Sequence, residues 1–174
     1  EAPTIFSIYG FSPEDFANVA KTAEKMGADA IELNVSCPHV KKAGAQVGSD
    51  PSLLTDIVKA VKWQVSKPVI VKLTPNVTDI AEIAKAAEKA GADAITAINT
   101  VKAMSIETET ARPLLANKFG GLSGPAIKLV KHSQLKFYRS FSYYSSIIPT
   151  LYKNFLVFIR FMSTYTLQNH IPLF

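Results

Sequence analysis

Apolar side chains recur at helical spacing in three stretches, and each stretch opens on a capping signal. In the first, Ser12 precedes Pro13, Glu14 and Asp15, residue types that satisfy and complement a helix N-terminus. Phe16, Val19, Ala20, Ala23 and Met26 then mark one face, and Gly27 supplies the stop. In the second, Asp50 caps and Pro51 follows, with Leu54, Ile57, Val58 and Val61 on one side. The third starts at Thr78-Asp79, aligns Ile80, Ile83, Ala84 and Ala87, and stops at Gly91. Between these stretches lie apolar runs at 4–9, 30–35, 69–73 and 94–98, too short for helices and bounded by turn residues.

Strands alternating with one-sided helices predict a parallel sheet with helices packed outside it. An internal repeat strengthens the expectation. Ala23-Glu24-Lys25-Met26-Gly27-Ala28-Asp29-Ala30-Ile31 returns 64 residues later as Ala87-Glu88-Lys89-Ala90-Gly91-Ala92-Asp93-Ala94-Ile95. Each copy reads as a helix end running into a strand, and the offset fits two strand-plus-helix units of about 32 residues each. A doubly wound sheet satisfies the alternation equally well. The polar residues favour a barrel: Asn34, Ser36 and Cys37, then Lys72, then Asn99 and Thr100, fall at the C-terminal ends of successive strands, the edge where barrels place their active sites. The expected fold class is therefore α/β, a partial (β/α)8 TIM barrel of about four βα units, since a closed barrel needs eight strands.

Charge changes this picture only at the C-terminal end. The net charge is +5, yet Lys131, Lys136, Arg139, Lys153 and Arg160 carry all of the excess, because residues 129–174 contain no Asp or Glu. That segment also lacks glycine and concentrates Phe and Tyr, so it reads as an aberrant basic, aromatic-rich tail unrelated to the barrel, the composition expected of out-of-frame translation. Pro149 interrupts it and it has no clean polar face, so neither a membrane nor a nucleic-acid partner is expected. A single cysteine excludes an internal disulfide framework, and no Cys/His cluster has metal-ligand spacing. A cytoplasmic home is the default. The start at Glu1 carries no leader-like segment, and upstream sequence is expected to be missing.

Taken singly, the candidate chemical residues have bland readings. Cys37 reads as a small buried hydrophobe, Asn34 as a strand-end amide tied to a turn, and Lys72 as a solvent-seeking cation. Ile98, Asn99 and Thr100 make an ordinary turn, and Gly120, Gly121 and Gly124 a flexible one. Their order along the chain alters those readings. Asn34-Val35-Ser36-Cys37-Pro38-His39, Val71-Lys72-Leu73-Thr74-Pro75-Asn76, Ile98-Asn99-Thr100 and Gly120-Gly121-Leu122-Ser123-Gly124-Pro125 together resemble the class 1 dihydroorotate dehydrogenases, nearest to the 1B form of archaea and Gram-positive bacteria.

That resemblance spans residues 4 to 128 and implies an FMN-dependent oxidoreductase of pyrimidine (UMP) biosynthesis that converts dihydroorotate to orotate. It assigns the catalytic base to Cys37, FMN contacts to Asn34, Lys72, Ile98 and Gly124, and orotate contacts to Asn34, Asn99 and Thr100. It divides the chain into a partial FMN-binding barrel, 1–128, and the tail, 129–174. It further implies an oligomeric parent enzyme that pairs with an iron–sulfur, FAD-containing electron-transfer subunit. Strands the family carries before and after this region are missing, so weak FMN binding and little activity are expected of the fragment. His39 and the 72–80 string also resemble dihydropyrimidine dehydrogenase, which acts on uracil and thymine. That enzyme type is the alternative, with a non-catalytic remnant as the third reading.

Overall fold

Each helix begins where its capping residue stands. In the computed structural model, which describes residues 3–35 and 47–130, helix α1 (Pro13–Lys25) is capped by the Ser12 hydroxyl accepting from the Asp15 N–H at 3.1 Å. The Asp50 carboxylate accepts from the N–H groups of Ser52 and Leu53 at the start of helix α2 (Pro51–Gln64). Asp79 does the same for Ala81 at the start of helix α3 (Ile80–Lys89). Such caps satisfy donors that have no partner within the helix.

Strands β1 (Ile5–Ile8), β2 (Ala30–Asn34), β3 (Val69–Lys72) and β4 (Ala94–Thr96) form one parallel sheet in the order β1-β2-β3-β4. A doubly wound sheet reverses its strand order at a switch point. Here the order runs one way, and α1 packs on α2 and α2 on α3. This is the singly wound arrangement of a partial barrel, a mixed α/β fold with a parallel sheet alternating with helices. The core lies between helices and sheet: Phe16, Leu54, Ile57, Val58 and Val61 meet Ile31, Leu33, Val69 and Val71, all fully buried.

The α1 stripe is rotated from the expected one. Phe16, Ala17, Ala20 and Ala23 are buried, whereas Val19 is 41% and Met26 70% exposed. The Glu24 carboxylate accepts from both the N–H and the hydroxyl of Ser66, just past α2, at 2.8 and 2.7 Å. These bonds hold its pKa below the ordinary 4.5.

The repeat has a defined structural role. Gly27 and Gly91 both end their helices at positive φ, 91° and 101°, and donate to Glu24 O and Glu88 O. Two residues on, Asp29 grips the residue just before β1 and Asp93 the first residue of β3, each with two bonds. The Asp29 N–H donates to Thr4 O at 2.9 Å while its carboxylate accepts from the Thr4 N–H at 2.7 Å. Asp93 repeats this on Val69 at 2.8 and 2.7 Å and also binds the Lys62 ammonium at 2.7 Å. The duplicated motif is thus a strand-aligning clamp at the N-terminal edge of the sheet.

After β4 the chain departs from plain alternation. Residues 97–100 leave the sheet earlier than the expected strand at 94–98, and β5 (Val101–Ala103) pairs antiparallel with β8 (Gly120–Leu122). Between them, β6 (Ile106–Glu107) and β7 (Arg112–Pro113) form a hairpin. None of these short strands is anticipated by the apolar pattern, because their residues are mostly exposed. Apart from Leu129 and Val130, the tail at 129–174 lies outside the described residues.

Gly91→Ala tests the clamp's geometry. Space is available, the nearest atom being the Lys62 side chain at 3.9 Å, so the cost arises from the positive φ alone. A loss of about 1–2 kcal/mol is expected by urea unfolding, and an unchanged midpoint contradicts this account of the helix end.

Candidate functional site

Alternation along a strand sends every second side chain to the face away from the helices. Register then aligns those side chains across strands: Asn34 opposite Lys72 opposite Thr96, and one step back Ser7 opposite Glu32 opposite Ile70 opposite Ala94. The inward face is therefore polar toward the C-terminal strand ends and apolar behind them, where Ala30 and Ile70 are buried.

Glu32 is the centre of this polar face. Its carboxylate accepts from the Ser7 hydroxyl on β1 and the Thr96 hydroxyl on β4, both at 2.8 Å. The Lys72 ammonium on β3 lies 4.0 Å away, with side-chain exposures of 28% for Lys72 and 12% for Glu32. One side chain thus links three other strands of the sheet. A largely buried carboxylate needs such partners, because desolvation without them is costly. Lys72 is not the outward snorkelling cation of its bland reading. It stands on the inner face with its charge balanced.

Asn34 and Asn99 meet above this layer, the Asn99 amide donating to Asn34 Oδ1 at 3.4 Å. Asn99 is held by its own N–H, which donates to Leu73 O at 2.9 Å, while its side-chain oxygen accepts from the Thr100 N–H at 2.8 Å. Ile98 and Thr100 flank it, both half-buried. Asn76, in the loop after β3, reaches across to this segment: its Nδ2 donates to Thr100 O at 3.2 Å and its Oδ1 accepts from the Lys102 N–H at 2.8 Å. The Thr74 hydroxyl, buried, accepts from both the backbone and the side-chain nitrogen of Asn76.

The structure accordingly brings together Asn34, Lys72, Asn99 and, through backbone continuity, Ile98 and Thr100. Gly124 is different. It caps a 3-10 turn (Pro125–Ile127) at φ 84°, and a Cβ built there meets no atom within 4 Å, so its packing does not tie it to that group. Gly121 has an internal reason to be glycine, since an added Cβ lies only 2.7 Å from the Thr100 Cβ. It makes room for Thr100. Cys37 and His39 lie outside the described residues. Ser7, Glu32, Thr96 and Asn76 were missed by motif reading. The first three were detectable as polar residues at the inward positions of apolar strands.

This geometry supplies amide donors and acceptors beside a charge-balanced ammonium, at the edge where a barrel binds its ligands. Among the described residues no group of His, Cys, Asp and Glu could hold a metal, and no helix is long and apolar enough to cross a membrane.

A family profile described as dihydroorotate dehydrogenase matches residues 1–149. The catalytic subunit of dihydroorotate dehydrogenase B (NAD(+)) from Pyrococcus abyssi is 57% identical over 128 residues, covering 72% of this chain and 42% of that protein. The subunit of the same description from Methanocella arvoryzae is 59% identical over 128 residues, 74% of this chain and 42% of that one. The chain therefore spans about two fifths of the length of these relatives. Among solved structures, a variant of the carboxyl transferase domain of Rhizobium etli pyruvate carboxylase overlays with a TM-score of 0.45 at 18% identity, over 55% of this chain and 17% of that one. That overlay is too partial to bear on fold or chemistry.

Removing the Glu32 carboxylate leaves the two hydroxyls without their acceptor and the Lys72 ammonium without its counter-charge. Glu32→Leu is expected to lower the unfolding free energy by about 2 kcal/mol, and Glu32→Gln, which keeps one acceptor oxygen, by about 1 kcal/mol. Equal, negligible losses in denaturant titration contradict a central role for this residue.

Proposed function

This chain belongs to the dihydroorotate dehydrogenase family, and from that premise we propose that it contributes the flavin- and substrate-facing part of an enzyme oxidising dihydroorotate to orotate. The observation that carries the proposal is the convergence of Asn34, Lys72 and Asn99 at the C-terminal strand ends. These residues come from three separate strand ends that the motifs mark in the same order.

The residues present fit FMN in kind. Flavin has a polar edge of carbonyls and ring nitrogens that takes up negative charge on reduction. A half-exposed ammonium, an adjacent amide and the backbone at Ile98 are the donors such an edge requires. When bound, FMN supplies the acceptor for the hydride from substrate C6. Lys72 holds positive charge against the reduced ring, and Asn34 orients ring and substrate with one amide that both donates and accepts. Asn99 and Thr100 bind the carboxylate and carbonyls of the substrate. Cys37 takes the proton from C5. An unperturbed thiol has a pKa of about 8.5, so a neighbouring cation or hydrogen bond must favour the thiolate at neutral pH. Gly124 is assigned to the cofactor by its place in the motif alone.

The relatives' description as catalytic subunits supports a partner subunit. We take an electron-transfer subunit carrying FAD and an iron–sulfur cluster to be the acceptor for electrons leaving FMN, in an oligomeric, cytoplasmic enzyme. The tail at 129–174 is read as lying outside this function.

The test is a flavin absorbance titration with FMN followed by anaerobic dihydroorotate. The fragment is expected to bind FMN weakly, the flavin it does hold to bleach slowly with dihydroorotate, and Cys37→Ala to slow the bleaching by at least about a further 100-fold, the lower range for loss of a general base. Bound flavin that stays oxidised with dihydroorotate contradicts the assignment.

A further inference from the structure

We propose that Asn76 is a positioning residue that sets the placement of Asn99 and Thr100, and through them the affinity for the orotate ring. The inference rests on the reading of Asn99 and Thr100 as substrate contacts.

The geometry is that of a side chain acting as a strand. Asn76 donates to Thr100 O at 3.2 Å and accepts from the Lys102 N–H at 2.8 Å, gripping the backbone on both sides of Val101. A residue of a parallel neighbouring strand grips its partner by the same pair of bonds. On the opposite edge β5 already has a neighbour, β8, with Lys102 opposite Gly121. Asn76 therefore occupies the edge of β5 that no strand fills among the described residues.

The amide is itself fixed. Its Nδ2 also donates to Thr74 Oγ1 at 3.1 Å, and the same hydroxyl accepts from the Asn76 backbone N–H at 3.2 Å. Thr74 is the one buried polar residue of the described core, so this anchor is rigid. Thr100 is confined from the other side by Gly121, where a Cβ would collide with its side chain. Among the described residues, the segment joining β4 to β5 is held by Leu73 O and Asn34 on Asn99, by Asn76 on Thr100 and Lys102, and by Gly121 against Thr100. Of these, Asn76 is the polar side chain that grips the backbone on both sides of Val101.

The chemistry explains why this position takes an amide. A carboxylate retains the acceptor for Lys102 but repels the Thr100 carbonyl, and a neutral carboxylic acid restores both bonds by donating its proton. Asn76→Asp should therefore behave as a pH-dependent version of the native residue.

The experiment joins amide hydrogen exchange to orotate titration of the FMN-loaded protein, for Asn76→Ala, Asn76→Asp and Asn99→Ala. In Asn76→Ala, the Lys102 amide is expected to lose protection while the β3 amides keep theirs. Its orotate dissociation constant should rise about 10- to 100-fold, the scale of a small misplacement of binding groups, with FMN affinity unchanged. Asn76→Asp should keep the Lys102 protection, show the same loss of orotate affinity at neutral pH, and recover that affinity toward the parent protein, compared at equal pH, as the carboxyl protonates. Unchanged Lys102 protection in Asn76→Ala overturns the inference. So does unchanged orotate affinity there when Asn99→Ala weakens it. If Asn99→Ala also binds orotate normally, the substrate-site reading is what fails, and the positioning role falls with it.

Discussion

The inward face of the sheet depends on one carboxylate. Glu32 projects from the middle of β2 onto the inward face, largely buried, and it is tolerated there because β1 and β4 each present a hydroxyl and β3 presents an ammonium. Those partners lie on three different strands, so the interaction exists only when all four strands are in register. A shift of any strand by one residue sends its partner to the helix-facing side. The same register places Asn34, Lys72 and Asn99 at one edge, and the polar layer and the candidate site are consequences of a single alignment.

The opposite edge of the sheet is aligned by different chemistry. Asp29 and Asp93 each fasten the start of a strand, at Thr4 just before β1 and at Val69 in β3, with a backbone and a side-chain bond, after helix ends that turn at Gly27 and Gly91. The 64-residue repeat preserves this device because both strand-helix units must meet the sheet at the same level. Barrel folds separate a stabilising N-terminal face from a functional C-terminal face. Here the separation is visible residue by residue: aspartate clamps below, amides and a lysine above, Glu32 between them.

Much of this was legible in the sequence because it is local. Ser12, Asp50 and Asp79 cap within a few residues of where they stand, and apolar spacing identified α2 and α3 with their buried faces. The barrel reading also held, since polar residues at strand ends require only the strand positions. Failures came where the deciding partner is distant. Val19 and Met26 belong to the apolar pattern of α1 but stand exposed, a choice made by packing and not by periodicity. Asn76 looks like a loop residue until the chain returns with Thr100 and Lys102. Gly121 reads as an ordinary turn glycine until Thr100 packs against it. Ser7, Glu32 and Thr96 could have been found by extending alternation inward from the strand ends, since two hydroxyls and a carboxylate on the inner face call for one another.

The most direct measurement of this account is a double-mutant cycle between Ser7→Ala and Thr96→Val, read as unfolding free energies. These residues lie on the two outer strands of the sheet and touch through Glu32. If the carboxylate is the shared centre, losing one hydroxyl weakens the hold on the other. The combined loss then falls short of the sum by about 0.5 kcal/mol or more. Losses that add to within about 0.3 kcal/mol, as for independent sites, would show that Glu32 does not tie the strands together.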